Sequence, residues 1–587
     1  MMRRPADGQI QRFSGDAALR LLFVLLFSLA LLFNIWRAPF GYFTRDESLY
    51  LAIPYRLMQG DILLVHEWNL SQMSAVLLLP LVRLYLAVFG STDGIALFFR
   101  YVYIFFHSLV ALYIYVRLSG LRLPGSRIAA LIASVLYELY CYHAVMALSY
   151  NSIRIGLLTA CLLTAATCRK PREMLFAGFM LAGAVLCYPY LASIYILYSA
   201  VVFVPALRPG SPEAEIAFSR KSWLLVTGAC LFSAFAFLAP ILLSGKAGLL
   251  SSTIPQILAD QQHPKRSLRQ LVVGYFSSFY RFNGNGRIVL IGGVLLAAVF
   301  FLDKKRRAHR PVYLAVAAAL AVLFSLTYLL MYRYDEGFIF SFTLMSLFAC
   351  LLTEKRCSSL FAIIFLPSLV HSFCAYTSSN LELISIMAAM TTALPAAALF
   401  LVSVVLELWD QARCERGAGR AAALCGCVLA SMFTCYIFYG VVDERMEDVF
   451  FDSPPWELSA VFEEGSSRGL KSTPERVAAT DSAYRALAPL RETEEGNVLY
   501  LSTDSRLYLE DPKRCSSFSM WFWTANPAEY NAQRLNDYWS LFPEKRPDYI
   551  YFDPEQSLSE EYLTAFAADQ YSQMPLGEGL VLCLENQ

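Results

Sequence analysis

Residues 44–50 read TRDESLY and come soon after the first long apolar run of the chain, LLFVLLFSLALLFNIW at 21–36. Two adjacent carboxylates, Asp46 and Glu47, therefore lie where a first membrane helix is expected to leave the bilayer. Thr44 and Glu47 have the spacing of a capping box, in which both side chains satisfy free amides at a helix start. Gly60 is predicted to end this helix. Capping explains Glu47 but not Asp46, although the helix dipole favours an acid in the first turn. A structural and a catalytic role for Asp46 are both open at this point.

The composition is that of a polytopic membrane protein. Of the 587 residues, 57% are hydrophobic and only 16% are charged. A soluble domain of this size could not keep so much apolar surface from water. The formal net charge of +1 shows no bias toward polyanions, so we expect no nucleic-acid partner. Because no small-residue cleavage site follows the first apolar run, we predict an uncleaved membrane helix rather than a removed signal peptide.

Basic clusters between the apolar runs predict the topology. Placing them and the N-terminus on the cytoplasmic side gives about thirteen crossings within residues 1–440, with the C-terminus extracytoplasmic. The segment at 74–90 is then predicted to lie in the outer interface, since a crossing there would reverse the later loops. A true crossing remains the alternative for this segment. The clusters are Arg117/Arg122/Arg127, Arg169/Lys170/Arg172, Arg208/Arg220/Lys221, residues 303–310, Lys355/Arg356 and Arg413/Arg416/Arg420.

The composition changes at Val441, beyond which charged residues, Pro, Ser and Asn become frequent. Residues 441–587 are therefore predicted to form an extracytoplasmic α/β domain. PERVAATDSAYRALAPL (474–490) is predicted as an amphipathic helix, and NVLYLST, PDYIYFD and GLVLCLE are predicted as buried strands. Cys515 and Cys583 are the only cysteines of this region, and they form either a disulfide or two free thiols.

The order of motifs in residues 46–90 resembles the first external loop of GT-C-fold glycosyltransferases. In particular, it resembles their protein O-mannosyltransferase and lipid A aminoarabinose transferase relatives. Elsewhere the resemblance is one of architecture, and the chain departs from the relatives at His66-Glu67-Trp68 and at Ser149-Tyr150-Asn151. Relatives often carry Glu-Lys-Pro at the first of these places, and some carry a second acid at the other. The shared motifs are Asp46-Glu47, Tyr50, Gly60-Asp61 and Phe89-Gly90.

The resemblance implies a membrane hexosyl- or pentosyltransferase of a bacterial plasma membrane. Such an enzyme would move a sugar from a polyprenyl-phosphate donor to a lipid, glycan or protein acceptor at the extracytoplasmic face, in contact with membrane lipids. This chemistry needs a base near the bilayer surface and cations for the departing phosphate. Asp46 is the predicted base, and Glu47 is a second catalytic candidate that caps the helix or orients the acceptor or a metal ion. The predicted substrate-binding residues are Arg333, Tyr50, Glu67, His66, Tyr334 and Asn151.

The cation site has several candidates. Arg333, in MYRYDEG at 331–337, is predicted at the outer end of a helix, where relatives also have an Arg-Tyr pair. It would hold the phosphate, anchor the helix among lipid headgroups, or pair with Asp335. The basic segment at 265–269 is a further candidate, although such clusters often bind anionic lipid.

Two alternatives follow from the same residues. Asp46, His66 and Glu67 could together hold a divalent ion, or His66 and Glu67 are interfacial polar residues beside Trp68. The whole chain could also be a transporter or flippase of lipid-linked saccharides. A transporter would place charges within its spans or show paired broken helices. Here the ionisable residues gather at the predicted outer ends, which favours the enzyme.

Overall fold

The structure is a computed structural model of the chain. Its apolar runs and its polar C-terminal region fold into different kinds of secondary structure, as the periodicity of each part predicts. The residues that the structure describes are 7–42, 45–69, 71–259, 266–281, 286–303, 309, 312–313, 315–320, 322–323, 335–352, 358–379, 381–447, 449, 452–492, 495–523, 526, 530–552, 571–576 and 579–584.

Most of the described chain before residue 447 is α-helical, because only a helix satisfies its own backbone hydrogen bonds in an apolar surrounding. The helices up to residue 302 are α1 (Asp7–Arg37), α2 (Asp46–Met58), α3 (Ala75–Phe89), α4 (Ile95–Ser119), α5 (Ser126–Leu139), α6 (Tyr150–Ala166), α7 (Glu173–Cys187), α8 (Ala192–Phe203), α9 (Pro212–Ala217), α10 (Arg220–Leu243), α11 (Leu250–Leu258), α12 (Leu268–Arg281) and α13 (Gly286–Leu302). The later described helices are α14 (Asp335–Leu352), α15 (Ser358–Leu360), α16 (Leu366–Thr377), α17 (Leu383–Met390), α18 (Leu394–Cys414), α19 (Ala418–Glu447), α20 (Pro474–Ala486), α21 (Ala488–Arg491), α22 (Arg506–Glu510) and α23 (Ala532–Leu541).

Six helical segments of the described residues are long and apolar enough to cross a membrane. The segment 383–414 is mostly buried inside the protein, whereas α10 exposes most of its apolar side chains. An exposed apolar surface such as that of α10 is stable in contact with lipid but not in contact with water. Shorter apolar helices accompany these six, and the predicted total of about thirteen crossings stays a prediction. The six are Asp16–Arg37, Gln72–Phe89, Ile95–Ser119, Arg220–Leu243, Leu383–Cys414 and Ala418–Glu447.

The first loop, predicted to be external over residues 41–94, contains two helices, α2 and α3. Helix α2 ends at Met58, and Gly60 follows with a φ of 99°, a left-handed conformation that glycine adopts without strain. The predicted helix end at Gly60 is therefore confirmed. Helix α3 and the short 3₁₀ turn before it form one of the six apolar segments. By length and composition this segment could cross, so its predicted interfacial position stays a prediction.

The C-terminal region contains a mixed five-stranded sheet of order β4-β3-β5-β7-β6. Strands β3, β5 and β7 coincide with the three predicted strands, which are confirmed. The predicted amphipathic helix at 474–490 is instead two helices, α20 and α21, and α20 buries only Val477 and Asp481. Strand β3 is parallel to β4 and β5, whereas β7 is antiparallel to β5 and β6. The strands are β1 (Ala460–Val461), β2 (Lys471–Ser472), β3 (Asn497–Leu501), β4 (Arg514–Cys515), β5 (Tyr549–Phe552), β6 (Tyr571–Leu576) and β7 (Gly579–Leu584).

The sheet register decides between the two states of its cysteines. Cys515 is aligned with Val498, Val498 with Tyr549, and Tyr549 with Cys583, so three strand spacings separate the two cysteines. Three spacings amount to about 14 Å, whereas a disulfide needs Cα atoms within about 7 Å. A disulfide between Cys515 and Cys583 is therefore wrong, and Cys515 is a buried free thiol.

The first loop packs directly on the C-terminal region. The backbone amide of Trp68 donates to the carbonyl of Phe518 at 2.7 Å, and that of Gly94 donates to Gly465 at 3.0 Å. Near them, the Thr92 hydroxyl donates to the carbonyl of a helix α22 residue at 2.7 Å. The two regions therefore lie on the same side of the helical part, as the sequence predicts. That this side is extracytoplasmic stays a prediction.

Cysteine labelling tests that side. Ser91 and Ser540 are exposed, one in the first loop and one on α23. In a variant without reactive native cysteines, we expect Ser91→Cys and Ser540→Cys to react with an impermeant thiol reagent in intact cells. Gly210→Cys, on an exposed predicted cytoplasmic loop, is the control and should react only after permeabilisation. Reaction of the control in intact cells would contradict the predicted topology.

Candidate functional site

Asp46 is the first residue of α2, and its side chain is open to solvent. Desolvation by the surrounding protein nevertheless raises the pKa of Asp46 above its ordinary value, while the charges of His143 and Arg45 act in the opposite direction. Asp46 is thus exposed but desolvated by neighbouring groups, and the part of the surface around it, with Tyr50, Tyr142 and Tyr150, is termed the recess. An exposed aspartate of raised pKa has the chemistry of a general base.

Tyrosine side chains line the recess. Tyr50 follows Asp46 by one helical turn and so lies on the same face of α2. Its ring lies 5.9 Å from that of Tyr150, in an edge-to-face arrangement. Tyr142 completes the set, and the charge of Asp46 acts on the hydroxyl groups of all three tyrosines. Aromatic rings with polar tips offer both apolar faces and hydroxyl groups, a combination that suits a sugar ring.

Arg154 lies on α6, near the ring of Tyr150. Its side chain is only 3% exposed, and its guanidinium carbon lies 4.3 Å from the ring centroid of Tyr188 and 5.9 Å from that of Tyr150. Within the part of the chain that the structure describes, Arg154 forms no ion pair, and its Nε has no hydrogen-bond partner. Its charge acts on the same three tyrosine hydroxyls as that of Asp46.

The segment before α6 has a strained backbone. His143 and Ala144 have φ values of 51° and 53°, a left-handed conformation that residues other than glycine rarely adopt. The amide of His143 donates to Oε1 of Glu336 at 2.6 Å, and the ring Nδ1 lies 3.6 Å from the same oxygen. Glu336 is fully buried, and its Oε2 has no hydrogen-bond partner among the described residues. Glu336 thus holds the strained turn that brings His143 toward Asp46.

Glu47 faces away from the solvent and forms a buried ion pair. Its Oε1 and Oε2 accept hydrogen bonds from Nε and Nη2 of Arg100 at 2.7 and 2.8 Å, and Glu47 is 2% exposed. Arg100 also donates to backbone carbonyl groups within residues 38–41. The N-cap of α2 is Arg45, without a side-chain capping bond, and Thr44 lies outside the described residues. The described contacts of Glu47 are thus those of a buried ion pair rather than of a helix cap alone.

His66 and Glu67 lie near the other end of α2, in a buried cluster around Arg56. Arg56 donates to Oδ2 of Asp61 at 2.5 Å and to Oε2 of Glu67 at 2.8 Å. Lys545 contacts Asp61 from the C-terminal region. Ten residues of helix separate Arg56 from Asp46, a distance of about 15 Å. The predicted substrate-binding residues His66 and Glu67 are therefore not brought together with Asp46.

The charges of the cluster are balanced by their neighbours. Burial alone would raise the pKa of Asp61, but the charges of Arg56 and Lys545 lower it. Burial lowers the pKa of His66 to about 4, so its ring is neutral at pH 7. No three His, Cys, Asp or Glu side chains of the described residues are placed to hold a metal ion. The alternative of a divalent ion held by Asp46, His66 and Glu67 is therefore wrong for this arrangement.

Arg56 also joins the first loop to the C-terminal region, because its Nη2 donates to the carbonyl of Ser517 at 2.7 Å and to the hydroxyl of Tyr538 at 3.0 Å. We expect Arg56→Lys to lower the free energy of unfolding by about 1–3 kcal/mol, since an ammonium group keeps the charge but loses the forked geometry. Thermal unfolding in detergent measures this. Arg83→Lys, at an exposed position on α3, is the control and should change stability by less than about 0.5 kcal/mol. Equal stabilities of the two variants would contradict the proposed role of Arg56.

The structure thus brings together some of the predicted site residues. Asp46 and Tyr50 share the recess, and Asn151 is buried beside Tyr150 at the start of α6. Arg333 and Tyr334 lie outside the described residues. Sequence reasoning missed Arg154, although an arginine within the apolar run SIRIGLLTACLL is itself a signal of function.

No protein-family model and no curated protein matches the chain. One similar solved structure is the archaeal oligosaccharyltransferase AglB from Archaeoglobus fulgidus in complex with an inhibitory peptide and a dolichol-phosphate. It is 12% identical, with a TM-score of 0.44, over 97% of this chain and 74% of that chain. Another is the Archaeoglobus fulgidus oligosaccharyltransferase in complex with Zn and sulfate, 13% identical, with a TM-score of 0.37, over 92% and 69% of the two chains. At these TM-scores the likeness is one of general outline, and no functional argument rests on it.

Proposed function

We propose that the chain is a membrane glycosyltransferase that moves a sugar from a polyprenyl-phosphate donor to a lipid, glycan or protein acceptor, with Asp46 as the general base. The observation that carries the proposal is the accessible Asp46 carboxylate, with its raised pKa, in a recess lined by tyrosines. A base of raised pKa holds a proton better than an ordinary aspartate. The resemblance of residues 46–90 to GT-C glycosyltransferases supports the same reaction.

The proposed reaction is a single displacement with inversion at the sugar. Asp46 takes the proton of the acceptor hydroxyl as that oxygen attacks the anomeric carbon. The bond between the anomeric carbon and the phosphate oxygen breaks, and its electron pair leaves with the polyprenyl phosphate. Negative charge therefore moves from the acceptor side to the phosphate, which is why the reaction benefits from a cation near the phosphate.

The transporter alternative has less support from the described contacts. Arg445 donates to Oδ1 of Asn34 at 2.8 Å, and Asn34 donates to Oε1 of Glu138 at 3.1 Å. These three buried residues lie near the C-terminal ends of α19, α1 and α5, which are all predicted outer ends. The network therefore fastens helix ends to each other and does not follow a path through the bilayer.

The proposed function is tested with purified protein in detergent and a panel of radiolabelled polyprenyl-phosphate sugars. We expect release of polyprenyl phosphate from at least one donor, at a rate that increases with added acceptor. Heat-treated protein provides the background rate. Movement of intact lipid-linked saccharide across proteoliposomes, without release of lipid phosphate, would instead support the transporter.

A further inference from the structure

Arg154 differs from the other buried arginines around the first loop. Arg56 is paired with Asp61 and Glu67, and Arg100 with Glu47. Arg154 is as deeply buried as Arg100 but has no carboxylate partner among the described residues. Burying an arginine without a counter-charge is unfavourable, and its charge cannot be removed by deprotonation at ordinary pH. A bound anion would supply the missing partner.

The surroundings of Arg154 fit an anion with several oxygens. The rings of Tyr188 and Tyr150 lie against the guanidinium, at 4.3 and 5.9 Å from its carbon atom. Aromatic rings can cover the faces of a guanidinium while its N–H groups remain available at the edge. Those N–H groups form a fork that matches two oxygens of a phosphate. The site therefore favours a phosphate over a single-atom anion.

Arg154 also lies beside the recess of Asp46. The Tyr150 ring lies 5.9 Å from the guanidinium carbon of Arg154 and 5.9 Å from the ring of Tyr50. Tyr50 lies one helical turn from Asp46 on α2, so contacts through Tyr50 and Tyr150 connect the acid to the arginine. A molecule that lies along these two tyrosines would thus extend from the carboxylate toward the guanidinium.

We propose that Arg154 binds the phosphate of the lipid donor and stabilises the negative charge that this phosphate gains when the sugar leaves. The identity of the anion as a lipid phosphate rests on the proposed function, whereas the anion site itself rests on the burial and the contacts of Arg154. Asp46 and Arg154 would then act at opposite ends of the displacement, the first on the acceptor and the second on the leaving group.

Binding of farnesyl phosphate to the full-length protein in detergent tests the site without any sugar transfer. We expect farnesyl phosphate to bind the wild-type protein more tightly than farnesol or inorganic phosphate. Arg154→Gln should weaken the binding of farnesyl phosphate by about 10- to 100-fold, as expected for loss of a charge-assisted contact. The binding of farnesol should be unchanged. Arg83→Gln is the control at an exposed position and should bind like the wild type.

Folding is checked by thermal unfolding of each variant. If Arg154→Gln does not fold, Arg154→Lys carries the test, because it keeps the charge and loses only the fork. We then expect farnesyl phosphate to bind Arg154→Lys several-fold more weakly than it binds the wild-type protein. Wild-type affinity for farnesyl phosphate in a folded Arg154→Gln variant, or in Arg154→Lys where only that variant folds, would overturn the proposal. Inorganic phosphate that binds as tightly as farnesyl phosphate, and depends on Arg154, would overturn the assignment to a lipid.

The two proposals fail in different ways. If farnesyl phosphate binds through Arg154 but no polyprenyl-phosphate sugar is turned over, the proposed function fails and the anion site remains. If sugar is transferred and Arg154→Gln keeps wild-type affinity for the donor and for farnesyl phosphate, this inference fails alone.

Discussion

Asp46→Asn should lower turnover by about two to four orders of magnitude, the usual contribution of a positioned general base. Asparagine keeps the size of the side chain and still accepts a hydrogen bond, but it takes no proton at neutral pH. Among the residues that the structure describes, Asp46 makes no ion pair and no side-chain hydrogen bond. Its replacement therefore breaks no described contact, and the variant should fold and bind donor like the wild type.

The measurement is the turnover number with a saturating polyprenyl-phosphate sugar, together with donor affinity and thermal stability. Asp537→Asn is the matched control, since Asp537 is exposed on α23, far along the chain from the recess. It should retain wild-type turnover. Near-normal turnover of Asp46→Asn, or failure of this variant to fold, would remove the support for Asp46 as the base.

The raised pKa of Asp46 also predicts a pH dependence of the wild-type enzyme. The base acts in its ionised form, so turnover is present above this pKa and is lost as the pH falls through it. Because burial raises the pKa, the loss should have its midpoint above the ordinary aspartate value of 3.8. The groups that face Asp46 are His143, Arg45 and the recess tyrosines. A turnover profile with no acidic limb down to pH 4 would contradict this prediction.

Local patterns predicted the elements of this fold but not the partners of its charges. The helix end at Gly60 and strand β3 are encoded by neighbouring residues, and the structure confirms both. The partner of Glu47, in contrast, lies 53 residues further along the chain, and one carbonyl bound by Arg56 lies 461 residues away. Spacing within a short stretch holds no information about such contacts. For this reason Glu67 looked like a substrate ligand in the sequence and is a partner of Arg56 in the structure.

The same limit explains the different outcomes for Asp46 and Arg154. Asp46 was found because it follows a membrane helix and cannot be explained by capping. Arg154 was missed because positive charge is read first in the loops, where it reports topology. An arginine inside an apolar run reports a buried contact instead. Only the positions of Tyr150 and Tyr188 show that aromatic rings, and no described carboxylate, surround it.

Glu47→Gln should lower the free energy of unfolding by about 3–5 kcal/mol, the usual effect of removing one partner of a buried ion pair. The capping interpretation predicts a mild effect, because glutamine also serves in a capping box. The structure predicts a large one, since Arg100 would keep its charge in a buried place with only backbone carbonyl groups as described partners. Thermal or chemical unfolding in detergent measures the difference from the wild type.

The double variant Glu47→Gln/Arg100→Gln separates the ion pair from other roles of Glu47. Removing both charges leaves no unpaired ion, so the double variant should lose less stability than the sum of the two single variants. The folded fraction of Glu47→Gln should keep most of its turnover, whereas Asp46→Asn should keep its stability and lose its turnover. Replacing each of the two adjacent carboxylates by its amide would thus affect different properties, stability for Glu47 and turnover for Asp46. A Glu47→Gln variant with wild-type stability and greatly reduced turnover would instead assign Glu47 to the reaction, because its pairing with Arg100 would then contribute little to the fold.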